Sequence, residues 1–126
     1  MYMRIEVGVD IIENSRFGPD ILADEQFLNR FFSKAEQEYC NAQSSPGEHY
    51  AARFAAKEAV LKAFSGFGIR IRLWDVEVVL DQLGVPRARI CDVLDDDDYE
   101  IKISISHSER ESVGFAVVCM EESTLL

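Results

Sequence analysis

The stretch from Phe54 to Lys62 sets one carboxylate, Glu58, and two ammonium groups, Lys57 and Lys62, into an otherwise apolar, alanine-rich run. Glu58 and Lys62 stand four apart, so on a helix they share a face. A carboxylate beside cationic groups on a rigid element could hold a divalent metal and the phosphates that metal binds. The plainer reading is a surface pair contributing about 0.2–0.5 kcal/mol. Asp10 is a second acid in apolar company, inside Val9-Asp10-Ile11-Ile12. Mg²⁺ takes one or two protein carboxylates and completes its octahedron with phosphate oxygens and water. Asp10 and Glu58 suit that role if their elements pack together; otherwise Asp10 is an exposed residue near a strand end. His107, within Ser104-Ile105-Ser106-His107-Ser108, could meet a phosphate alongside neighbouring hydroxyls, or serve as a surface or capping residue. His49, beside a helix start, reads as structural. The chain carries no paired-histidine zinc helix, P-loop, G-x-G-x-x-G or G-x-S-x-G.

The elements that must position these groups follow from local pattern. Ser45-Pro46-Gly47-Glu48 reads as a capping box with proline at the first helical position. A long helix is predicted from Pro46 to Phe64, with Ser65-Gly66 ending it. Arg4 to Ile12 begins with strict alternation and predicts a strand with Ile5, Val7, Val9 and Ile11 facing the core and Glu6, Gly8 and Asp10 opposite. Ser15 to Phe32 is helical in pattern but broken by Gly18-Pro19, which predicts two pieces. Ser33 to Glu36 is a second capping box, opening a short helix toward Cys40. Trp74–Leu80, Ala88–Val93, Ile101–Ile105 and Val113–Met120 read as strands, the first two joined by turn residues Asp81–Pro86. The layout is a strand, then helices including one long central helix, then about four antiparallel strands: an α+β class.

A chain of 126 residues is the size of one domain, and 48% hydrophobic content is enough for its own core. No apolar run reaches the ~20 residues that cross a bilayer, and the first residues lack a signal peptide's apolar stretch. Cys40, Cys91 and Cys119 are an odd, widely spaced set that predicts reduced, mostly buried thiols in a cytoplasmic protein. The net charge of −10 is uneven: residues 1–72 carry nine basic and ten acidic side chains, residues 73–126 four and thirteen. The acidic run from Asp92 to Glu100 reads as a solvated loop. Arg53 to Arg72 holds five cations against Glu58 alone, a local excess suited to a small anion or a few phosphates. An acidic chain with one such patch is not a duplex-DNA binder, which needs many phosphate contacts.

Together these pieces resemble the holo-(acyl-carrier-protein) synthase family, the short bacterial type of 4′-phosphopantetheinyl transferase. Gly8-Val9-Asp10-Ile11-Ile12-Glu13 looks like the family's G-x-D-I-x-E. Arg53-Phe54-Ala55-Ala56-Lys57-Glu58-Ala59, followed by Lys62-Ala63, matches its R-F-A-A-K-E-A-x-x-K-A at every defined position. Trp74–Val78 resembles the strand that follows, Gly84-Val85-Pro86 the G-x-P turn, and Ser104–Ser108 the late S-I-S-H-[ST].

The resemblance implies the 4′-phosphopantetheinyl transferase fold over residues 1–126 as a single domain, assembled as a homotrimer. It implies transfer of 4′-phosphopantetheine from coenzyme A to a serine hydroxyl of apo acyl carrier protein, with release of adenosine 3′,5′-bisphosphate. By the same resemblance Asp10 and Glu58 would hold Mg²⁺, with Mn²⁺ as an alternative ion. Lys62 would stabilise charge on the transferred phosphate, and Arg53, Lys62 and His107 would bind coenzyme A. The base for the serine proton is Glu58 or a metal-bound water. Arg16 and Arg30 match positions that dock the acidic carrier, with no nucleic acid or membrane as partner. The other reading is a non-catalytic relative that binds coenzyme A or a carrier; the presence of Asp10, Glu58 and Lys62 together argues against it.

Overall fold

The computed structural model describes residues 3–125. Strand β1 (Met3–Glu13) leads through a 3₁₀ turn (Asn14–Phe17) into three short helices, α1 (Pro19–Leu22), α2 (Glu25–Phe31) and α3 (Lys34–Asn41). The long helix α4 (Pro46–Ser65) follows, then β2 (Val76–Leu80), β3 (Pro86–Ile90), β4 (Glu100–His107) and β5 (Glu111–Glu121). The strands form two antiparallel sheets, one ordered β1-β5-β4 and the other the β2-β3 hairpin. The α+β class with one long helix is as expected, and the region from Ser15 to Phe32 breaks into three pieces rather than two.

Helix α4 lies across the three-stranded sheet with its backbone almost on the strands. Ala52, Ala55, Ala56, Ala59 and Ala63 are all at most 3% exposed. Where they sit, β1 and β5 carry Gly8 and Gly114. A Cβ at Gly8 would meet the Ala59 carbonyl, and one at Gly114 the Ala55–Ala56 peptide. Alanine on the helix and glycine on the strands are therefore two halves of one close approach.

That approach reverses the expected orientation of β1. Its helix-facing side is Gly8, Asp10 and Ile12, whereas Ile5, Val7, Val9 and Ile11 point away and are 55–61% exposed. Alternation separates two faces of a strand without saying which is covered. Here the glycine side is the only one α4 can reach. The register places Val9 opposite Phe115 and Val7 opposite Val117, so β5 continues the same uncovered apolar face.

Two cores flank the helix. Val60, Phe64, Ile71, Val78, Ile90, Val118 and Met120 join α4 to both sheets. Phe17, Leu28, Phe32, Tyr50 and Ala55 pack the short helices onto its N-terminal half. The Ser33 capping box forms in full, with the Ser33 hydroxyl accepting from Glu36 N–H and Glu36 accepting from Ser33 N–H. The Ser45 box does not: Ser45 makes no side-chain cap, and α4 starts on Pro46 alone.

Lys57 is the largest departure among the charged residues. It is 1% exposed, and its Nζ donates to Phe31 O (2.7 Å), Val76 O (2.7 Å) and Glu36 Oε1 (2.8 Å), using all three protons. Glu36 Oε2 accepts from Val78 N–H at 2.8 Å. Burial lowers the Lys57 pKa, opposed by Glu36. Lys57 is thus a buried tie between α2, α3, α4 and β2, and the basic excess read along Arg53–Arg72 is not one surface patch. Of the cysteines only Cys40 is buried, and burial pushes its thiol up to about 11, leaving it inert near neutral pH.

Candidate active site

The one face of α4 that is not fully covered carries Glu58 and Lys62, and β1 delivers Asp10 to it. Asp10 reaches this side because it shares the glycine face of β1; it stands opposite Gly114 in the ladder. Lys62 Nζ donates to Val9 O at 2.9 Å and to Asp10 Oδ1 at 3.1 Å. Those two bonds leave one of its three protons free. The Lys62 side chain is 54% exposed, so this pair adds little to stability. Its effect is to aim an ammonium group beside two carboxylates.

The Glu58 carboxyl is raised above the ordinary glutamate value, first by burial and then by the like charge of Asp10; Lys62 and Arg16 act in the opposite direction. Two acids therefore sit close enough to repel, with two cations beside them acting against that repulsion. Arg16, exposed on the 3₁₀ turn after β1, joins the cluster because that turn folds back over α4. Among the described residues no three His, Cys, Asp or Glu side chains gather as a metal cage. Two neighbouring carboxylates are the donor set a hard divalent cation accepts when phosphates supply the remaining oxygens. The residues present fit such an ion.

A second group lies at the N-terminal half of α4. Arg53 is 4% exposed, its Cζ lies 4.2 Å from the Tyr39 ring centre, and its Nε has no hydrogen-bond partner. Tyr39 meets His49 edge-on at 5.7 Å, and His49 meets His107 at 5.5 Å. His107 ends β4, and the turn after it is held by buried Asn14. The Asn14 side-chain amide donates to Ser108 O at 2.7 Å and its oxygen accepts from the Ser112 hydroxyl at 2.6 Å. Sequence reasoning missed both Asn14 and the partnership of His49 with His107. The first had no motif; the second joins residues 58 positions apart on different elements.

Arg30 falls outside both groups. It is exposed on α2, with its guanidinium 5.4 Å from the Phe31 ring and 5.3 Å from that of Trp74, while Arg72 covers Trp74 at 5.4 Å. Arg16 and Arg30 are therefore cations of different surroundings, one beside Glu58 and one on an aromatic shelf.

The family model described as the 4′-phosphopantetheinyl transferase superfamily matches residues 6–118. A holo-[acyl-carrier-protein] synthase of Clostridium botulinum (strain Eklund 17B / Type B) is 38% identical over 120 residues, spanning 89% of this chain and 94% of the relative. One from Protochlamydia amoebophila is 42% identical over 119 residues, covering 91% and 98%. Among solved structures, a holo-(acyl-carrier-protein) synthase from Bacillus anthracis in complex with CoA (3′,5′-ADP) superposes with a TM-score of 0.75 at 29% identity, covering 95% of this chain and all of that one.

Proposed function

The chain belongs to the 4′-phosphopantetheinyl transferase superfamily, and from that premise we propose that Asp10 and Glu58 are its metal ligands and Lys62 its phosphate-stabilising cation. The reaction is transfer of the 4′-phosphopantetheine arm of coenzyme A to apo acyl carrier protein. The observation that carries the site assignment is the convergence of Asp10 and Lys62 within 3.1 Å, with Glu58 close enough for the Asp10 charge to raise its carboxyl.

The physical difficulty is an attack by a neutral hydroxyl on phosphorus surrounded by anionic oxygens. A divalent ion, Mg²⁺ or Mn²⁺, held by Asp10 and Glu58 would neutralise the diphosphate. Lys62, pinned to Val9 O and Asp10, keeps one N–H for an oxygen of the transferred group, where charge develops. Arg53 and His107 bind coenzyme A phosphates; the unpartnered Arg53 Nε supports that role. Arg16 and Arg30 dock the acidic carrier.

The working unit is a homotrimer of single-domain chains. Support comes from the uncovered sheet face of Ile5, Val7, Val9, Ile11 and Phe115, which is apolar enough to need a partner surface. The three free cysteines suit the cytoplasm, and no described helix is long and apolar enough to cross a membrane.

Mass spectrometry of apo carrier after incubation with the protein, coenzyme A and Mg²⁺ tests the function. A gain of one phosphopantetheine arm is expected, lost on chelation and in Asp10→Asn. No gain at any metal concentration would overturn the reading.

A further inference from the structure

His49 stands out as a titratable group that the transfer reaction leaves unused. Its half-buried ring is held edge-on between Tyr39 of α3 and His107 of β4, at 5.7 and 5.5 Å. One helical turn along α4 lies Arg53, buried to 4% exposure with its Nε unpartnered, in contact with the same Tyr39. Tyr39 thus carries a guanidinium and one imidazole, and that imidazole meets a second. The charged and titratable groups facing His49 are His107 from β4, Tyr39 from α3, and Arg53 and Glu48 from α4; Glu48 is the one carboxylate among them.

Resting on the transferase reading above, we propose that His49 joins Arg53 and His107 in holding the 3′-phosphate of coenzyme A, and so makes the enzyme prefer coenzyme A to its dephospho form. The diphosphate is matched by the Asp10, Glu58 and Lys62 group, which leaves the monoester as the anion this cluster can serve. A monoester dianion offers two charges and three acceptor oxygens. It would satisfy the orphaned Arg53 N–H, whose burial without a partner is otherwise unfavourable. The imidazoles then supply the remaining donors.

The cluster also sets a proton linkage. Burial lowers the His49 pKa first, and His107 and Arg53 lower it further, with Glu48 opposing. In the free protein His49 is therefore neutral near pH 7. An arriving dianion favours its charged form, so binding draws one proton from solvent onto the imidazole. His49 acts on substrate choice, not on the transferred phosphate.

Isothermal titration of coenzyme A and dephospho-coenzyme A, in buffers of differing ionisation enthalpy, tests this in wild type, His49→Phe and His49→Gln. His49→Phe keeps the ring contacts with Tyr39 and His107, and thermal melts check that both variants fold. At about pH 6.5, near the histidine range, His49→Phe is expected to weaken coenzyme A about tenfold and dephospho-coenzyme A less than about twofold. Proton uptake on coenzyme A binding should fall in both variants and be absent for the dephospho form. Unchanged selectivity and proton uptake in a variant that still modifies carrier would overturn the inference and leave the transferase reading standing. Equal loss for both ligands would likewise overturn it. A wild type that neither binds coenzyme A nor modifies carrier would instead overturn the transferase reading.

Discussion

Lys57 and Lys62 sit five residues apart on one helix, one buried and the other in solvent, which makes their replacement by methionine a sharp test of the different tasks proposed for them. Lys57→Met keeps the length of an apolar stem but removes a buried ammonium with three bonds, to Phe31 O, Val76 O and Glu36. Glu36, whose side chain is fully buried, would keep the Ser33 and Val78 N–H donors but lose its counter-charge. Breaking such a buried pair costs about 3–5 kcal/mol, a large part of a domain's total of about 5–15 kcal/mol. With a urea m-value of about 2 kcal/mol per molar, a loss of about 4 kcal/mol lowers the midpoint by about 2 M. For a chain of this size, Tm should fall by about 15 °C. Adding Glu36→Gln removes the stranded charge and should recover about 2 kcal/mol, a coupling that a double-mutant cycle reads directly. Lys62→Met, whose bonds are made in solvent, should move the midpoint by less than about 1 kcal/mol equivalent while turnover collapses. Urea curves followed by far-UV circular dichroism, with carrier modification measured on the same samples, decide between them. A Lys57→Met protein with a wild-type midpoint, or one that loses coenzyme A affinity alone, would refute the assignment of Lys57 as a structural tie.

Asp10→Asn and Glu58→Gln should abolish transfer without unfolding the chain, as carrier mass spectrometry and a thermal melt would show. Because the folded Glu58 pKa is raised, wild type loses stability as pH rises from the unfolded glutamate value through the folded one; Glu58→Gln should therefore match or exceed wild-type Tm above that window and lose its advantage below it. A lower Tm for Glu58→Gln at pH 8 would contradict the burial and repulsion argument. Val7→Asp places a charge on the exposed sheet face and should turn the proposed trimer into monomers in multi-angle light scattering, with activity lost in proportion. Arg16→Glu should raise KM for the carrier about tenfold, a loss of about 1.4 kcal/mol, while coenzyme A affinity changes less; equal loss of both would remove Arg16 from the docking surface.

By itself the sequence determined most of the element list, the α+β class and the chemistry to look for. Pro46 and Gly66 bound α4 because proline and glycine act locally, and the Ser33–Glu36 cap forms because its donors and acceptors are three residues apart. Glu58 and Lys62 were legible as neighbours for the same reason. The tertiary structure decided everything that depends on what lies opposite. Four alternating aliphatics on β1 look like a core face until Gly8 and Gly114 admit the helix backbone on the other side. Lys57 and Lys62 look alike in sequence, yet one meets a buried Glu36 from α3 and the other meets Asp10 in solvent. Asp10 becomes a partner of Glu58, and His49 a partner of His107, only when strands and helix close over sequence separations of 48 and 58. Local rules read bonds made within a few residues; burial and charge pairing are properties of surfaces that meet only in the folded chain.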